Sequence, residues 1–336
     1  MKLVSYEHVQ NGLTISAQGA SEWRLGWLDR EWIVDVAFAQ EWATLSKGIP
    51  LTKLHPATMN EWLEADSKLK EQVIHIAKVI QEEDLSALKV EGEPVALPLE
   101  AVKLLPPVPS PPTFRDFYAF EQHVKTARSR RGLGMIPEWY EIPVFYFSNP
   151  HTMLGADAEV SRPQNCRALD FELEIACVIG QQGRNFTPQE AMEAIAGFSI
   201  LNDWSARDIQ MKEMKVGLGP AKGKDFATSM GPWLVTLDEL EHRRDGEHWN
   251  LSMTASVNGR ELSKGNANSL TFSFAQMIAR ASEDCTLYPG DVIGSGTVGT
   301  GCILELGPDV HRWLEPGDVV ELSIEGLGVL RNSIVE

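Results

Sequence analysis

Asp170-Phe171-Glu172-Leu173-Glu174-Ile175-Ala176-Cys177-Val178-Ile179-Gly180 decides how this chain folds, because it reads as a buried strand and yet carries acids. Successive strand side chains point to opposite faces, so Asp170, Glu172 and Glu174 are expected on one face. Carboxylates two residues apart lie about 7 Å apart at their Cα atoms, which is close enough for one cation to bind both. The alternative interpretation is an edge strand with a solvated acidic face.

The size and charge of the chain limit its possible partners. It has 336 residues, of which 43% are hydrophobic and 23% charged, so one large domain or two domains can be buried. The net charge of -17 argues against nucleic acid and against an anionic membrane surface. Residues 1–8 lack the apolar run of a signal peptide, and no later segment reaches membrane-spanning length, so a cytoplasmic location is expected.

A proline-rich segment suggests where the chain divides. Residues 104–112 hold five prolines, which neither a helix nor a central strand tolerates. We therefore predict a small β-rich domain with a helix at 1–108 and a larger domain at 109–336. In the first, strands are predicted within 2–6, 13–17 and 23–37, and a helix begins at Thr58, with Glu61 completing a capping box and apolar residues at helical spacing as far as Ile80.

The larger domain alternates strands with occasional helices. Strands are predicted at 144–147, 171–179, 198–202, 233–236, 251–257, 291–294 and 319–324. Helices are predicted from Thr187, with its N-cap, proline and capping-box signals, and over 274–281. The helices are too few for a series of βαβ units, so the pattern indicates an α+β, mainly β fold, a mixed β-sandwich or β-roll. No nucleotide-binding glycine motif occurs.

Three further segments place polar groups in apolar surroundings. They are 115–123, 201–210 and 218–226. In the first, Asp116 and His123 would share a face if the segment were helical, although a single histidine is more often an ordinary surface or core residue. The second could equally be a strand-to-helix turn with Asp203 or Ser205 as a cap. The lysines of the third, in an acidic protein, could be no more than solvated charges.

Taken together, these motifs resemble the fumarylacetoacetate hydrolase family in order and local spacing over about residues 110–330. The motifs are Asp116-Phe117-Tyr118 with His123, Leu169-Asp170-Phe171-Glu172-Leu173-Glu174, Asn202-Asp203-Trp204-Ser205-Ala206-Arg207-Asp208-Ile209-Gln210, Gly223-Lys224, and Pro289-Gly290-Asp291 with Gly294-Ser295-Gly296-Thr297. The Asn-Asp-Trp-Ser-Ala-Arg-Asp string is the most specific of them. The resemblance also implies a homodimer.

The resemblance implies a metal site. Its ligands would be Asp116, Glu172, Glu174 and Asp203. A set made of carboxylates alone suits Mg²⁺ or Ca²⁺, with Mn²⁺ as a further candidate, and disfavours zinc. Four carboxylates around one divalent ion leave a local charge of -2, so nearby cations are required, and Lys224 and Arg207 are the candidates.

The resemblance further implies the reaction, a hydrolytic carbon-carbon cleavage of a β-diketo acid such as fumarylacetoacetate or an acylpyruvate. His123 and Glu305 would activate water, and the metal would chelate the substrate's dicarbonyl oxygens. Residues that polarise the carbonyl or hold the oxyanion would be Arg207, Gln210 and Lys224. Substrate contacts would come from Tyr118, Tyr146 and Thr297, with one arginine among 128–131 for a distal carboxylate. The expected substrate is a small anionic oxo acid.

Other reactions on the same scaffold are alternatives: an isomerase, a decarboxylase or a dehydratase acting on a metal-bound 2-oxo acid. The pair His123 and Glu305 favours hydrolysis, because decarboxylation and isomerisation need no nucleophilic water. A noncatalytic metal-binding protein is the third interpretation, since such a protein would keep the acids but would not need the histidine.

Overall fold

The computed structural model describes residues 1–10, 13–14, 23–50 and 56–336. The strands as far as residue 108 are β1 Lys2–Gln10, β2 Leu13–Thr14, β3 Arg24–Asp29, β4 Trp32–Asp35, β5 Lys89–Val90, β6 Glu93–Pro94, β7 Ala96–Pro98 and β8 Val102–Leu104. Those that follow are β9 Phe114–Phe117, β10 Phe145–Ser148, β11 Met153–Leu154, β12 Glu159–Ser161, β13 Leu169–Asp170, β14 Leu173–Ile179, β15 Ile195–Asn202, β16 Ser205–Ala206, β17 Thr228–Val235, β18 Arg244–Asp245, β19 His248–Trp249, β20 Ser252–Val257, β21 Arg260–Asn266, β22 Val292–Gly294, β23 Val319–Ile324 and β24 Gly328–Val335.

Helices are distributed along the whole chain. They are α1 Val36–Lys47, α2 Met59–Glu64, α3 Ser67–Ile80, α4 Glu121–Ser129, α5 Glu138–Glu141, α6 Pro188–Glu193, α7 Arg207–Val216, α8 Leu237–Leu240, α9 Phe274–Ser282 and α10 Ile303–Leu306. Short 3₁₀ turns occur at Leu85–Ala87, Leu99–Ala101, Pro150–Thr152, Glu241–Arg243 and Ala267–Ser269. Among the residues that the structure describes, no helix has the length and apolar character needed to cross a membrane.

One large sheet organises the molecule. Its strands follow the order β10, β9, β22, β14, β15, β17, β1, β3, β4, β7, with β11 beside β17 and with β2 and β8 beside β1. Most neighbours are antiparallel, whereas β9 with β22 and β11 with β17 are parallel. A second sheet has the order β12, β24, β23, β20, β21. This arrangement confirms the α+β, mainly β class.

Strand β14 is a central strand, so the interpretation as a solvated edge is wrong. It lies between β15 and β22, and all seven of its residues are buried. Leu173, Ile175 and Cys177 belong to one apolar core, while Ala176 and Val178 belong to another. The first core includes the β20 and β23 residues Met253, Leu322 and Ile324, and the second includes the helical residues Trp42, Leu63 and Val73. The acid-bearing strand is therefore covered on both faces.

The first hundred residues contain more helix than predicted. The helix expected from Thr58 is two helices, because α2 ends at Glu64 and the Asp66 carboxylate accepts a hydrogen bond from Leu69 N at 2.9 Å to begin α3. The Thr58 hydroxyl caps α2, but the Glu61 carboxylate accepts from Ala57 N instead of closing the capping box.

The strand predicted through 37 stops earlier, because the Asp35 carboxylate accepts from Phe38 N at 3.0 Å and begins α1. Of the strand predicted at 13–17, β2 covers 13–14, and residues 15–17 lie outside the described residues. The boundary near residue 108 stays a prediction, although β1 pairs directly with β17 across it.

The capping signals predicted for α6 are present. The Thr187 hydroxyl accepts from Glu190 N, the Glu190 side chain accepts from Thr187 N at 2.8 Å, and Pro188 opens the helix. The helix predicted at 274–281 is α9, which has a capping box of its own between Ser273 and Gln276. Both helices therefore begin where local side-chain chemistry satisfies their first N–H groups.

Asp318 stabilises the turn before β23 and gives a pH-dependent prediction. Its carboxylate, 4% exposed, accepts hydrogen bonds from Arg312 at 2.7 and 3.0 Å, from Glu315 N at 2.8 Å and from Asn258 Nδ2 at 2.8 Å. Burial raises its pKa, but the Arg312 side chain, Glu315 N and Asn258 outweigh burial and hold the pKa at about 2. The folded state therefore favours the charged carboxylate.

We expect Asp318→Asn to lower the free energy of unfolding by about 2 kcal/mol at pH 7. The lowered pKa of Asp318 means that its ionised carboxylate stabilises the folded state, and an amide cannot supply that stabilisation. That stability is complete above about pH 4 and is lost as the pH falls through about 2, so wild type and variant should converge in acid. Urea denaturation at several pH values measures the difference. Asp309→Asn, at an exposed position, is the matched control.

Candidate active site

Four buried acids come together in the part of the large sheet formed by β9, β22, β14 and β15. Asp116 is in β9, Glu174 in β14, Glu172 just before β14, and Asp203 directly after β15. All four are at most 4% exposed. Two glycines make room, since a Cβ at Gly294 would overlap the Asp116 carboxylate and Gly296 N donates to Asp116 Oδ1 at 3.2 Å. The structure thus places all four predicted metal ligands in one cluster.

Two buried cations compensate this charge. Lys224 Nζ contacts the Glu172 carboxylate and donates to Asp203 Oδ2 at 2.5 Å. Arg207 Nη2 donates to Glu172 Oε1 at 2.8 Å, and its Nε donates to Asp170 Oδ2 at 2.8 Å. Because their donors are used on carboxylates, these side chains act first as charge compensation.

The acids do not share the cations equally. Burial raises the pKa of Glu172, but Lys224 and then Arg207 outweigh burial and hold it below its usual range. Burial, followed by repulsion from Asp203, raises the pKa of Asp116 well above its usual value, and burial with repulsion from Asp116 does the same to Glu174. The Asp116 and Glu174 side of the cluster is therefore short of positive charge.

Unpartnered oxygens mark where a cation would bind. Glu174 Oε2 and Asp203 Oδ1 are buried and have no hydrogen-bond partner within the described part of the chain. Buried polar atoms without partners are uncommon and call for an explanation such as an ion. The donors are all carboxylate oxygens, the set preferred by Mg²⁺, Ca²⁺ and Mn²⁺. The residues present therefore fit a hard divalent cation held by Asp116, Glu172, Glu174 and Asp203.

A histidine-carboxylate pair lies near the acids, and its histidine lines a cavity that Asp116, Glu172 and Glu174 also line. His123, in α4, approaches Glu305, in α10, with 2.5 Å between Nδ1 and Oε1. The contact with a carboxylate assigns the ring proton to Nδ1, which leaves Nε2 as the acceptor. Glu305 Oε2 also accepts from Thr300 N at 3.1 Å, so the carboxylate is held on both oxygens. This pairing can orient the imidazole as a base.

The short helix that carries Glu305 is held at both ends. At its start, Asp170 accepts from Ile303 N at 2.7 Å and from Leu304 N at 3.0 Å. At its end, Arg130 Nη2 donates to the Glu305 carbonyl at 2.8 Å. Arg130 directly follows α4, so it links the element that carries His123 to the element that carries Glu305.

We expect Arg130→Met to lower kcat/KM by about fivefold to tenfold, because a hydrogen bond that fixes the Glu305 backbone contributes about 1 kcal/mol. Divalent-ion affinity should stay unchanged, while the pH profile of activity should shift because the pairing of His123 with Glu305 loosens. Steady-state kinetics across pH with calorimetric metal titration measure both. Arg130→Lys should recover part of the activity, and Lys125→Met, on the exposed side of α4, is the control.

The remaining predicted residues line one cavity of about 630 Å³ beside the acids. Tyr118 packs edge-to-face on the His123 ring with 5.4 Å between centroids, and burial raises its pKa to about 12. Tyr146 donates to Asp203 Oδ2 at 2.5 Å, and Thr297 donates to Glu174 Oε1 at 3.2 Å. Both hydroxyls therefore contact acids that are predicted metal ligands.

Gln210 and Arg131 also line the cavity. Gln210 Oε1 accepts from Arg207 Nη1 at 3.1 Å, so its amide NH₂ is the group left to donate. Among the arginines at 128–131, Arg131 lines the cavity, while Arg128 Nε donates to the Gly134 carbonyl at 2.5 Å. Among these three arginines, Arg131 is therefore the one that lines the cavity, and its Nε donates to the Ala127 carbonyl at 3.2 Å.

Two local expectations are wrong. Asp170 does not share a strand face with Glu172 and Glu174, because it lies in β13 and regular pairing of β14 begins only at Leu173. Between β13 and β14, Asn202 Oδ1 accepts a hydrogen bond from Glu172 N at 2.9 Å. Residues 115–123 are also not one helix, since Asp116 is in a strand and α4 begins at Glu121.

Some residues with structural roles here were not predicted as site residues. Asp170, Arg130 and Asn202 hold backbone groups of the site, and Cys302 lies with Sγ 3.8 Å from Glu305 Oε1. Asp170 and Asn202 were visible as polar residues inside apolar runs, and Arg130 as part of a basic cluster. Burial raises the pKa of the Cys302 thiol, and so Cys302 is a neutral neighbour of the pair.

Known proteins share this architecture. The chain is 36% identical over 197 residues to 2,4-didehydro-3-deoxy-L-rhamnonate hydrolase of Sphingomonas sp. (strain SKA58), covering 58% of this chain and 65% of that protein. It is 37% identical over 196 residues to the human mitochondrial oxaloacetate tautomerase FAHD2A, covering 57% of this chain and 59% of that protein. The chain thus matches less than two thirds of the length of these curated relatives.

A solved structure gives the same fold. The fumarylacetoacetate hydrolase of psychrophilic Exiguobacterium antarcticum superposes with a TM-score of 0.65 at 24% identity, covering 100% of this chain and 99% of that chain. Residues 113–335 match the family described as fumarylacetoacetate (FAA) hydrolase C-terminal. This match covers more than half of the chain and includes the acid cluster and the histidine-carboxylate pair. The chain therefore belongs to the fumarylacetoacetate hydrolase family.

Proposed function

We propose that the protein is a metal-dependent hydrolase that cleaves a carbon-carbon bond of a β-diketo acid, such as fumarylacetoacetate or an acylpyruvate. The observation that carries the proposal is the His123–Glu305 pair, 2.5 Å apart, on the same cavity as the carboxylate cluster. A hydrolase needs both a cation site for the dicarbonyl and a base for water. Relatives in the family include a named hydrolase and a named tautomerase.

The bound cation would supply Lewis-acid polarisation of the substrate's carbonyl oxygens. His123 Nε2 takes a proton from water, and Glu305 stabilises the resulting imidazolium through Nδ1–H. The hydroxide bonds to the distal carbonyl carbon of the dicarbonyl, the bond between that carbon and the methylene carbon between the two carbonyls breaks, and the methylene carbon takes up a proton. The products are a carboxylic acid and an oxo acid, which is a 2-oxo acid when the substrate is an acylpyruvate, so the reaction consumes one water and needs no redox partner.

The amide NH₂ of Gln210 is a neutral donor on the cavity wall, and it is suited to hold the oxygen that becomes negatively charged. A donor of this kind contributes about 3 to 4 kcal/mol in other enzymes. Lys224 and Arg207 keep Glu172 ionised and so maintain the cation site. Arg131 also lines the cavity.

Tautomerisation of a 2-oxo acid is the second candidate, because the relative that is 37% identical is named an oxaloacetate tautomerase. The same base could move a proton between carbon and oxygen without activating water. The two reactions differ in whether an oxygen atom from water enters a product.

The discriminating experiment uses the protein with Mg²⁺ or Mn²⁺ in H₂¹⁸O. Acetylpyruvate, fumarylpyruvate, fumarylacetoacetate and oxaloacetate are offered in turn, with loss of the enol absorbance followed and products analysed by mass spectrometry. Hydrolysis incorporates one ¹⁸O into the released carboxylic acid beyond the amount from carbonyl exchange. Enol loss without a released acid would contradict the hydrolase proposal and support the tautomerase.

A further inference from the structure

The face of helix α7 that lines the cavity is polar at the start of the helix and apolar farther along. Arg207, Gln210, Met211 and Met214 follow each other at the spacing of a single helix face, and all line the cavity. The first two are polar and lie at the acid cluster, while the methionines lie farther along the helix. The cavity therefore has a polar head beside the acids and an apolar distal half.

Other apolar side chains line the same cavity. They include Leu133 and Val144. These side chains remain 48% and 40% exposed, and Met211 and Met214 are 48% and 42% exposed. A ligand that entered the cavity would remove this apolar surface from contact with water.

The cavity is larger than the polar head requires. Its volume of about 630 Å³ lies within the range of about 300 to 1,000 Å³ that accommodates drug-sized ligands. From Gln210 to Met214 the helix advances about 6 Å. A saturated chain of about five carbons spans that length, with C–C bonds of about 1.5 Å. Methionine walls adapt to chains of differing shape.

We propose that the distal half of the cavity binds an apolar chain, so that the substrate is a 2,4-dioxo acid whose acyl tail is apolar and about five carbons long. This inference rests on the proposed function for the identity of the head group. Arg131 and Lys215 line the cavity but are exposed, and exposed ion pairs contribute little. We therefore infer a methyl-ended tail over one that ends in a carboxylate.

The test is a series of acylpyruvates from acetylpyruvate upward, one methylene at a time, with the Mg²⁺-loaded protein. We expect kcat/KM to rise about fourfold per methylene, equivalent to about 0.8 kcal/mol, and to level off near five carbons. Met214→Ser should reduce the rise per methylene, and Met214→Leu should restore it. Val216→Ser, on the same helix but not lining the cavity, is the control and should keep the fourfold rise.

A flat series would overturn the inference while leaving the proposed function intact, provided that acetylpyruvate is cleaved. A tail ending in a carboxylate that exceeds the methyl-ended tail of equal length more than fivefold would also overturn it. If no acylpyruvate is cleaved, the proposed function fails, and calorimetry with methyl-ended 2-oxo acids of increasing length tests the apolar site directly. A Kd that falls about fourfold per methylene would support the site, and a constant Kd would contradict it.

Discussion

Replacing His123 with alanine is expected to lower kcat by about 10²- to 10⁴-fold, because a positioned general base contributes that much. The buried ring contacts Glu305 and Tyr118, and none of the four acids of the cation site is hydrogen-bonded to it. Metal affinity and the circular dichroism spectrum should therefore stay as in the wild type. Kinetics with the substrate found by the ¹⁸O experiment, together with calorimetry, measure both quantities.

A double variant tests whether His123 and Glu305 act together. If His123 and Glu305 act as a unit, the double variant His123→Ala/Glu305→Gln should lose little more activity than the more severe single variant. His75→Ala, at an exposed position of α3, is the matched control and should keep full activity. Turnover that survives His123→Ala within a factor of three would contradict its role as base.

Glu174→Gln is expected to abolish tight binding of Mg²⁺ and Mn²⁺. Changes around a metal ligand already cost about 10- to 100-fold in affinity, so loss of the ligand itself should cost more than 100-fold. Activity should fall by a similar factor. The stabilisation that saturating metal gives the wild type, about 2.7 kcal/mol at 100 times Kd, should disappear. Calorimetry and thermal denaturation with and without metal measure these effects.

In the absence of metal, the same substitution is not expected to lower the stability of the protein. Without metal, the Glu174 carboxylate is buried against Asp116 and Glu172, and this raises its pKa. A neutral amide removes that repulsion, so the metal-free variant is expected to be at least as stable as the metal-free wild type. Glu193→Gln, an exposed change of the same kind, should alter neither quantity. A variant that unfolds without metal would indicate a structural role instead.

Much of the site followed from local sequence because its acids interrupt apolar strands. Glu172 and Glu174 stand in a run that is otherwise typical of a buried strand, and Asp203 follows another such run. Burying acids is costly without a counter-charge, so the positions of Glu172 and Glu174 predict a cation, whereas Asp203 is a possible helix cap by local sequence and a metal ligand only by the resemblance. The four-residue helix with Glu305 shows no periodicity, and that residue was reached through the resemblance alone.

The features that sequence reasoning missed depend on breaks in regular structure or on distant contacts. Because strand side chains alternate between faces, Asp170 is expected on the same face as Glu172 and Glu174. The regular strand β14 begins only at Leu173, however, and the Asp170 carboxylate accepts a hydrogen bond from the first residue of α10 instead. Residues 33–37 have the β-branched composition of a strand, yet the Asp35 cap ends β4 and starts α1. Arg130 binds backbone carbonyls 175 residues away, and no local pattern records such a contact.

The pairing of Lys2 with Val235 and of Leu3 with Leu234 means that the amino-terminal hundred residues complete the sheet that holds the acids. Removing them would leave the end of β17 at Leu234 and Val235 without its backbone partners in β1 and would uncover the apolar surface around Ala176 and Val178. An open strand of this kind is a template for joining other chains. A truncated enzyme beginning near residue 109 should therefore self-associate, however intact its catalytic side chains.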